Sequence, residues 1–239
     1  MPEIPVPVWY RDCGRIGYEE AWALQTRIFE EQNNQKVNNR RNPESSEQIR
    51  NYLLFCEHEP VFTLGKSGNE ENLLLSKSEL QIRGIDFYKI NRGGDITYHG
   101  PGQITGYPLF DLEQFFTDIH KYMRYLEEIM IRTCADYGIS AGRVPGLTGV
   151  WVRHQSPDAE KICALGVHMS RWITMHGFGL NVNTDLSHFG LIVPCGIQDK
   201  GVTSLKKELG REIPMDEVKD VLLRHFTNQF GVEIRKYAV

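Results

Sequence analysis

Arg92-Gly93-Gly94-Asp95-Ile96-Thr97-Tyr98-His99-Gly100-Pro101-Gly102-Gln103 places four glycines and a proline in twelve residues, a density that regular helices and strands do not carry. Glycine tolerates positive φ and lets a ligand approach the backbone, and proline fixes its own φ. The segment therefore reads as a rigid, shaped loop able to cradle a ligand. Residues 85–90 read as a strand that delivers the chain into it. The cradle lacks the G-x-x-x-x-G-K-[ST] arrangement of a P-loop, and strand-like residues follow it rather than a helix. Arg92, Tyr98, His99 and Gln103 incline it toward ligand binding over a purely structural turn. Two further islands share its punctuation, Lys161-Ile162-Cys163-Ala164-Leu165-Gly166 and Pro194-Cys195-Gly196-Ile197. Together they point to a glycine-lined pocket with a lysine and a cysteine.

Outward from the cradle, residues 52–56 and 61–64 are β-rich runs around Glu57-His58-Glu59-Pro60, the pattern of two strands joined by a turn. Residues 19–31 space Ala21, Ala23, Leu24, Ile28 and Phe29 as a helix, and the polar stretch 33–48 reads as a mobile surface loop. Asp111 is placed to cap a long helix to Tyr137 with the inward stripe Leu112, Phe115, Phe116, Ile119, Met123, Leu126, Met130 and Cys134, stopped by Gly138. Residues 148–153, 161–169 and 178–182 read as strands, and 218–230 as an amphipathic helix stopped by Gly231. Strands and helices mix without a regular βαβ repeat, which predicts an α+β fold, a mixed sheet flanked by helices. Residues 1–239 are expected to form a single catalytic domain, with no internal repeat or linker.

The formal net charge of −4 gives no reason to expect nucleic-acid binding. The N-terminus lacks a basic stretch followed by an apolar run, and no apolar run approaches a membrane span, so the expected address is the cytoplasm. The five cysteines are odd in number, widely spaced and without a CxxC pair, which argues against a disulfide framework or a zinc knuckle. Most cysteines are small buried hydrophobes, so a reactive one needs a physical reason.

Pro194 and Gly196 give Cys195 such a reason, constraining the backbone on one side and leaving room for a substrate on the other. Cys163 is its rival: it lies in an apolar strand, yet period-two alternation puts it on the same face as Lys161. Lys161 is the natural cation for a thiolate, although a lone lysine at a strand start is commonly just solvated. His99, His168, His176 and His188 with Cys195 lack the spacing of a zinc cluster, so no metal is expected.

These segments, taken in order, resemble the lipoyl(octanoyl) transferases of lipoate biosynthesis. The matching stretches begin with His58-Glu59-Pro60-Val61-Phe62-Thr63-Leu64-Gly65 and the cradle with Tyr107-Pro108-Leu109 after it. They continue with Pro145-Gly146-Leu147-Thr148-Gly149-Val150-Trp151-Val152, the Lys161 island, His176-Gly177-Phe178-Gly179-Leu180-Asn181-Val182 and Ile192-Val193-Pro194-Cys195-Gly196. The resemblance implies a fold similar to the catalytic domain of biotin and lipoate protein ligases. It also implies transfer of an octanoyl group from acyl carrier protein to one lysine of a lipoyl domain, on 2-oxoacid dehydrogenase subunits or the glycine-cleavage H protein, with no cofactor. By position Cys195 matches the family's nucleophile and Lys161 its partner in a Cys-Lys dyad. Arg92, Gly93, Gly94, Asp95, Ile96, Thr97, Tyr98 and His99 match its substrate-binding residues, as do Ala164, Leu165 and Gly166, and Gly177, Phe178 and Gly179.

The implied chemistry is physically coherent. A thiolate is suited to attack a thioester, and an ammonium beside Cys195 favours the charged sulfur. The incoming amine must then lose a proton, which a deprotonated Lys161 can take. Burying six methylenes of an octanoyl tail contributes roughly 5 kcal/mol, at about 0.8 kcal/mol each. Arg40, Arg41, Lys66, Arg92, Lys200, Lys206 and Lys207 are candidates for a basic rim facing acidic partner proteins, against scattered solvated charge. The competing expectations are an ATP-dependent lipoate ligase of the same fold, which needs no cysteine, a non-enzymatic binder of carrier domains, and a thioesterase.

Overall fold

A computed structural model describes residues 5–193 and 200–237. Its framework is a mixed sheet that begins with a strand the sequence reading did not anticipate, β1 (Val6–Ile16), and is followed by helix α1 (Tyr18–Arg41) and strand β2 (Asn51–His58). Strand β3 (Val61–Leu64), helix α2 (Lys77–Arg83) and strands β4 (Asp86–Lys89), β5 (Ile96–His99) and β6 (Gln103–Leu109) come next. Helix α3 (Ile119–Asp136) precedes β7 (Ala141–Val144), β8 (Leu147–Val152), β9 (Glu160–Ser170) and β10 (Ile173–Asn181). The chain closes with β11 (Gly201–Val202), α4 (Leu205–Leu209), α5 (Met215–Phe230) and β12 (Val232–Lys236).

Among the described residues the large sheet runs β12-β1-β2-β6-β10-β9-β8-β7, with β11 paired to β9. β1 is parallel to both neighbours, whereas β2, β6, β10, β9, β8 and β7 pair antiparallel. Helices cover both faces. On one, Tyr122, Leu126 and Met130 of α3 and Leu222 and Phe226 of α5 pack on Leu53, Phe55, Ile104 and Phe178. On the other, Ala21 and Ile28 of α1 pack on Leu54, Cys56 and Leu109. β2 is thus buried on both sides, which is why residues 52–56 read as a continuous apolar run. The expected α+β architecture, a mixed sheet flanked by helices, is the observed one.

Several local expectations are corrected. Residues 33–41 are not a loop but the last turns of α1. Their buried face is polar, so apolar periodicity could not reveal it. Gln32 Nε2 donates to Arg50 O (2.7 Å) and Leu109 O (2.9 Å), and Lys36 Nζ donates to Asp111 Oδ1 at 2.5 Å. β2 and β3 are both strands but not a hairpin: β3 turns away into a small sheet, β4-β3-β5, with its own core of Phe62, Leu80, Ile96 and Tyr98. The cradle is interrupted by β5, because Ile96-Thr97-Tyr98-His99 favours an extended pairing with β3.

Asp111 caps a 3₁₀ turn over Leu112–Gln114 rather than the long helix, which starts at Ile119 with Asp118 accepting from Lys121 N at 3.0 Å. Leu112, Phe115 and Phe116 accordingly lie ahead of the helix, and its core face is Tyr122, Leu126, Ile129, Met130 and Cys134. Gly138 and Gly231 take positive φ, +74° and +65°, at the ends of α3 and α5 as the stop signals require.

Candidate active site

A cavity of about 530 Å³ opens where the cradle meets β9, β10 and the turn before β8, within the range typical of small-ligand pockets. From the cradle it is lined by Arg92, Gly93, Gly94, Asp95, Ile96, Thr97 and His99. Lys161, Ala164, Leu165 and Gly166 reach it from β9, and Gly177, Phe178 and Gly179 from β10. The cradle and the paired strands β9 and β10, distant from it in sequence, thus converge on one space. Tyr98 does not line it: its ring stacks on His188 with centroids 4.6 Å apart and meets Phe189 edge-on, inside the core of the small sheet. Cys195 lies outside the described residues, as do Pro194, Gly196 and Ile197.

Close backbone approach explains the glycines. Gly93 N donates to Val167 O at 2.9 Å, docking the cradle on β9. A Cβ on Gly166 would stand 2.8 Å from Gly93 O. Arg92 is buried, with Nη2 donating to Thr63 O (2.6 Å) and Thr63 Oγ1 (3.0 Å), so its guanidinium ties the cradle to β3. Asp95 accepts from Ile96 N (2.7 Å) and from Asn72 Nδ2 (2.5 Å), bracing the cradle against the 69–72 turn.

Lys161 and Cys163 do not share the environment that simple alternation predicts. Cys163 pairs with Val150 while Lys161 pairs with the very next residue of β8, Trp151, so β9 carries one extra residue between them. Such a bulge re-aims side chains and breaks the period of two. Lys161 lines the cavity at 9% exposure, and Cys163, fully buried, belongs to the core with Cys134. Burial pushes the Cys163 thiol well above its usual range, which disfavours a thiolate there.

Beside the cavity lie buried imidazoles that sequence reading did not connect. His99 Nδ1 meets Gln103 Oε1 at 2.7 Å, and Gln103 Nε2 donates to Asn181 Oδ1 at 2.9 Å. His176 Nε2 meets Asn91 Oδ1 at 2.7 Å, and His58 Nε2 meets Tyr107 OH at 2.7 Å. Desolvation lowers His58 to about 4 and His99 and His176 each to about 3, so all three are neutral at pH 7. Among the described residues no cluster of His, Cys, Asp and Glu is arranged to hold a metal ion. Gln103, Thr105, Tyr107, Tyr18, Met123 and Asn181 also line the cavity. Of these, Gln103, Tyr107 and Asn181 fall within the motif stretches, Met123 reads in sequence only as part of a helix's inward stripe, and Tyr18 and Thr105 carried no signal.

Of the candidate basic rim, four members have their charge engaged within the protein. Arg92 is buried, Arg40 pairs with Glu113 at 3.1 Å, Lys206 with Glu212 at 2.8 Å and Lys207 with Glu160 at 2.8 Å.

The family model for the lipoyl protein ligase A/B catalytic domain matches residues 17–227. The octanoyltransferase of Cytophaga hutchinsonii is 55% identical over 95% of this chain and 94% of its own length. That of Flavobacterium johnsoniae is 57% identical over 94% and 97%. Among solved structures, a bi-partite lipoate protein ligase from Thermoplasma acidophilum superposes with a TM-score of 0.72 at 15% identity, covering 99% of this chain and 88% of that one. A lipoate-protein ligase A bound with ATP gives 0.71 at 15% identity, over 99% and 90%. At such identity these structures speak for the fold alone, and it is the curated relatives, matched along nearly their whole length, that make this chain a member of the octanoyltransferase family, an acyltransferase built on the lipoyl protein ligase A/B catalytic domain.

Proposed function

We propose that the chain moves an octanoyl group from acyl carrier protein to a lysine of a lipoyl domain, with Cys195 as nucleophile and Lys161 as acid and base. The observation that carries this reading is the convergence of Lys161 and three motif segments on one cavity, in a member of the octanoyltransferase family. In the first half-reaction the Cys195 thiolate attacks the thioester carbonyl, the C–S bond to the carrier breaks, and the departing sulfur takes a proton from the Lys161 ammonium. In the second, the acceptor amine attacks acyl-Cys195. Its proton passes to Lys161 and the Cys195 thiolate leaves. Met123, Leu147, Leu165 and Phe178 supply apolar wall for the tail.

His99 and His176, held neutral by burial, serve as hydrogen-bonding groups rather than cations. The remaining substrate-binding assignments, Arg92 to Thr97, Ala164 to Gly166 and Gly177 to Gly179, are supported by their place on the cavity wall. Tyr98, matched with them by the resemblance, packs in the core of the small sheet and is not on that wall. The acceptors are lipoyl domains of 2-oxoacid dehydrogenase subunits and the glycine-cleavage H protein, the site of action is the cytoplasm, and residues 1–239 act as one catalytic domain. No helix among the described residues is long and apolar enough to cross a membrane.

The test is intact mass after incubation with octanoyl-loaded acyl carrier protein and no acceptor. An octanoyl adduct on Cys195, discharged by an added lipoyl domain, is the expected result. Cys195→Ala should lose the adduct and slow transfer at least about a hundredfold. An adduct on Cys163 would move the nucleophile. Rapid transfer with no adduct, or attachment of free octanoate that requires ATP, would overturn the covalent mechanism.

A further inference from the structure

A lysine stem has several rotatable bonds, so an acid/base lysine must be held if its nitrogen is to serve two successive proton transfers at one point in space. Two features of β8 hold Lys161. Gly149, at φ +123°, has no side chain where a Cβ would stand 2.9 Å from Cys163 O, 3.3 Å from Lys161 Cε and 3.4 Å from its Cδ. Two residues further on, Trp151 pairs with Lys161 across the strands, and Lys161 Nζ lies 4.7 Å from the centroid of the indole ring. The bulge that separates Lys161 from Cys163 falls at this pairing. Trp151 is only 1% exposed, so the surrounding core fixes the plane of its ring. Its Nε1 has no hydrogen-bond partner among the described residues. The indole is therefore not placed for its N–H, and what it presents to Lys161 is its π face.

We propose that Trp151 is a positioning residue for acyl transfer: its π face holds the Lys161 ammonium at the cavity, and the space left at Gly149 is the channel through which the lysine stem reaches it. The inference rests on the reading of Lys161 as acid and base. A cation over an aromatic face is attracted by the ring quadrupole, more strongly where water is excluded. That attraction acts on the ammonium, the form that stabilises a thiolate and protonates the departing sulfur. It also confines Nζ, alongside the other contacts Lys161 makes. A branched aliphatic side chain would fill part of the same space without offering a π face, whereas phenylalanine would keep one.

The experiment is steady-state octanoyl transfer by W151F, W151L, K161M and the double variant W151L/K161M, with thermal unfolding to check the fold. W151L is expected to lower kcat about tenfold while KM for both protein substrates stays within about twofold, and W151F to recover to within about threefold of the parent. W151L should cost nothing further in the K161M background. Equal impairment of W151F and W151L, or a W151L loss that persists undiminished beside K161M, would show that Trp151 acts through packing and would overturn the proposal while leaving the role of Lys161 intact. Full activity of K161M would remove the role of Lys161 itself, and this proposal with it. Should W151L not fold, W151M against W151F makes the same comparison with a smaller change of volume.

Discussion

At the scale of single residues the site depends on missing side chains as much as on present ones. Gly166 is where β9 and the cradle backbone meet, and an added Cβ would press on Gly93 O at 2.8 Å and Arg92 Cδ at 3.1 Å. We expect Gly166→Ala to raise KM for the acyl donor at least about tenfold and to destabilise the fold by about 1–3 kcal/mol, as overpacking does. Gly190→Ala, where nothing lies within 4 Å, should change stability by no more than about 0.5 kcal/mol. Steady-state kinetics and urea unfolding of the pair check both statements, and equal behaviour would refute the close-approach argument. The motif made Gly166 legible in sequence. His176 was legible only as a residue type, because its left-handed φ of +61° and its bond to Asn91 are set by contacts with distant segments.

At the scale of elements, the second half of α1 shows how a helix can be buried without an apolar stripe. Its last turns are anchored by the Lys36–Asp111 pair, whose side chains are 4% and 7% exposed, with Glu113 adding a second carboxylate at 3.1 Å. Removing one partner of a buried ion pair leaves the other charge uncompensated. Lys36→Met is therefore expected to destabilise the protein by about 3–5 kcal/mol, and Lys36→Met with Asp111→Asn to recover most of that loss. Urea denaturation of the single and double variants measures it. A loss below about 1 kcal/mol in the single variant would mean that neighbouring groups neutralise Asp111 unaided. The β9 bulge is the second element-scale device. It sends Lys161 and Cys163 to different environments although the sequence spaces them for one face.

At the scale of the whole molecule, three neutral imidazoles buried at the heart of the fold set its response to acid. Desolvation holds His58 near 4 and His99 and His176 near 3, below their unfolded value of about 6.5. Above that value neither state binds a proton at these rings, and their contribution is constant. Below it the unfolded chain takes up protons that the native state refuses, so stability falls as pH falls. Each ring contributes a slope of up to about 1.4 kcal/mol per pH unit, and the three together about 4, until His58 begins to protonate in the native state near pH 4. Urea midpoints taken between pH 7 and 4.5 should drop steeply, and His58→Asn should flatten the slope by about a third. An unchanged slope in that variant would mean that His58 is solvated in the native protein.

By itself the sequence determined the α+β class, most of the long elements, the stops at Gly138 and Gly231, and the segments that meet at the cavity, because these follow from local conformational preference and from motif residues whose backbone demands are local. Only the tertiary structure decided that β2 and β3 part into different sheets, that the polar end of α1 is helix, that Tyr98 turns away from the cavity, and that a bulge sets Lys161 over Trp151. The physical reason is common to all four. Each is settled by hydrogen bonds and packing between residues far apart in the chain, and a one-dimensional pattern records a residue's own preference but not its distant partner.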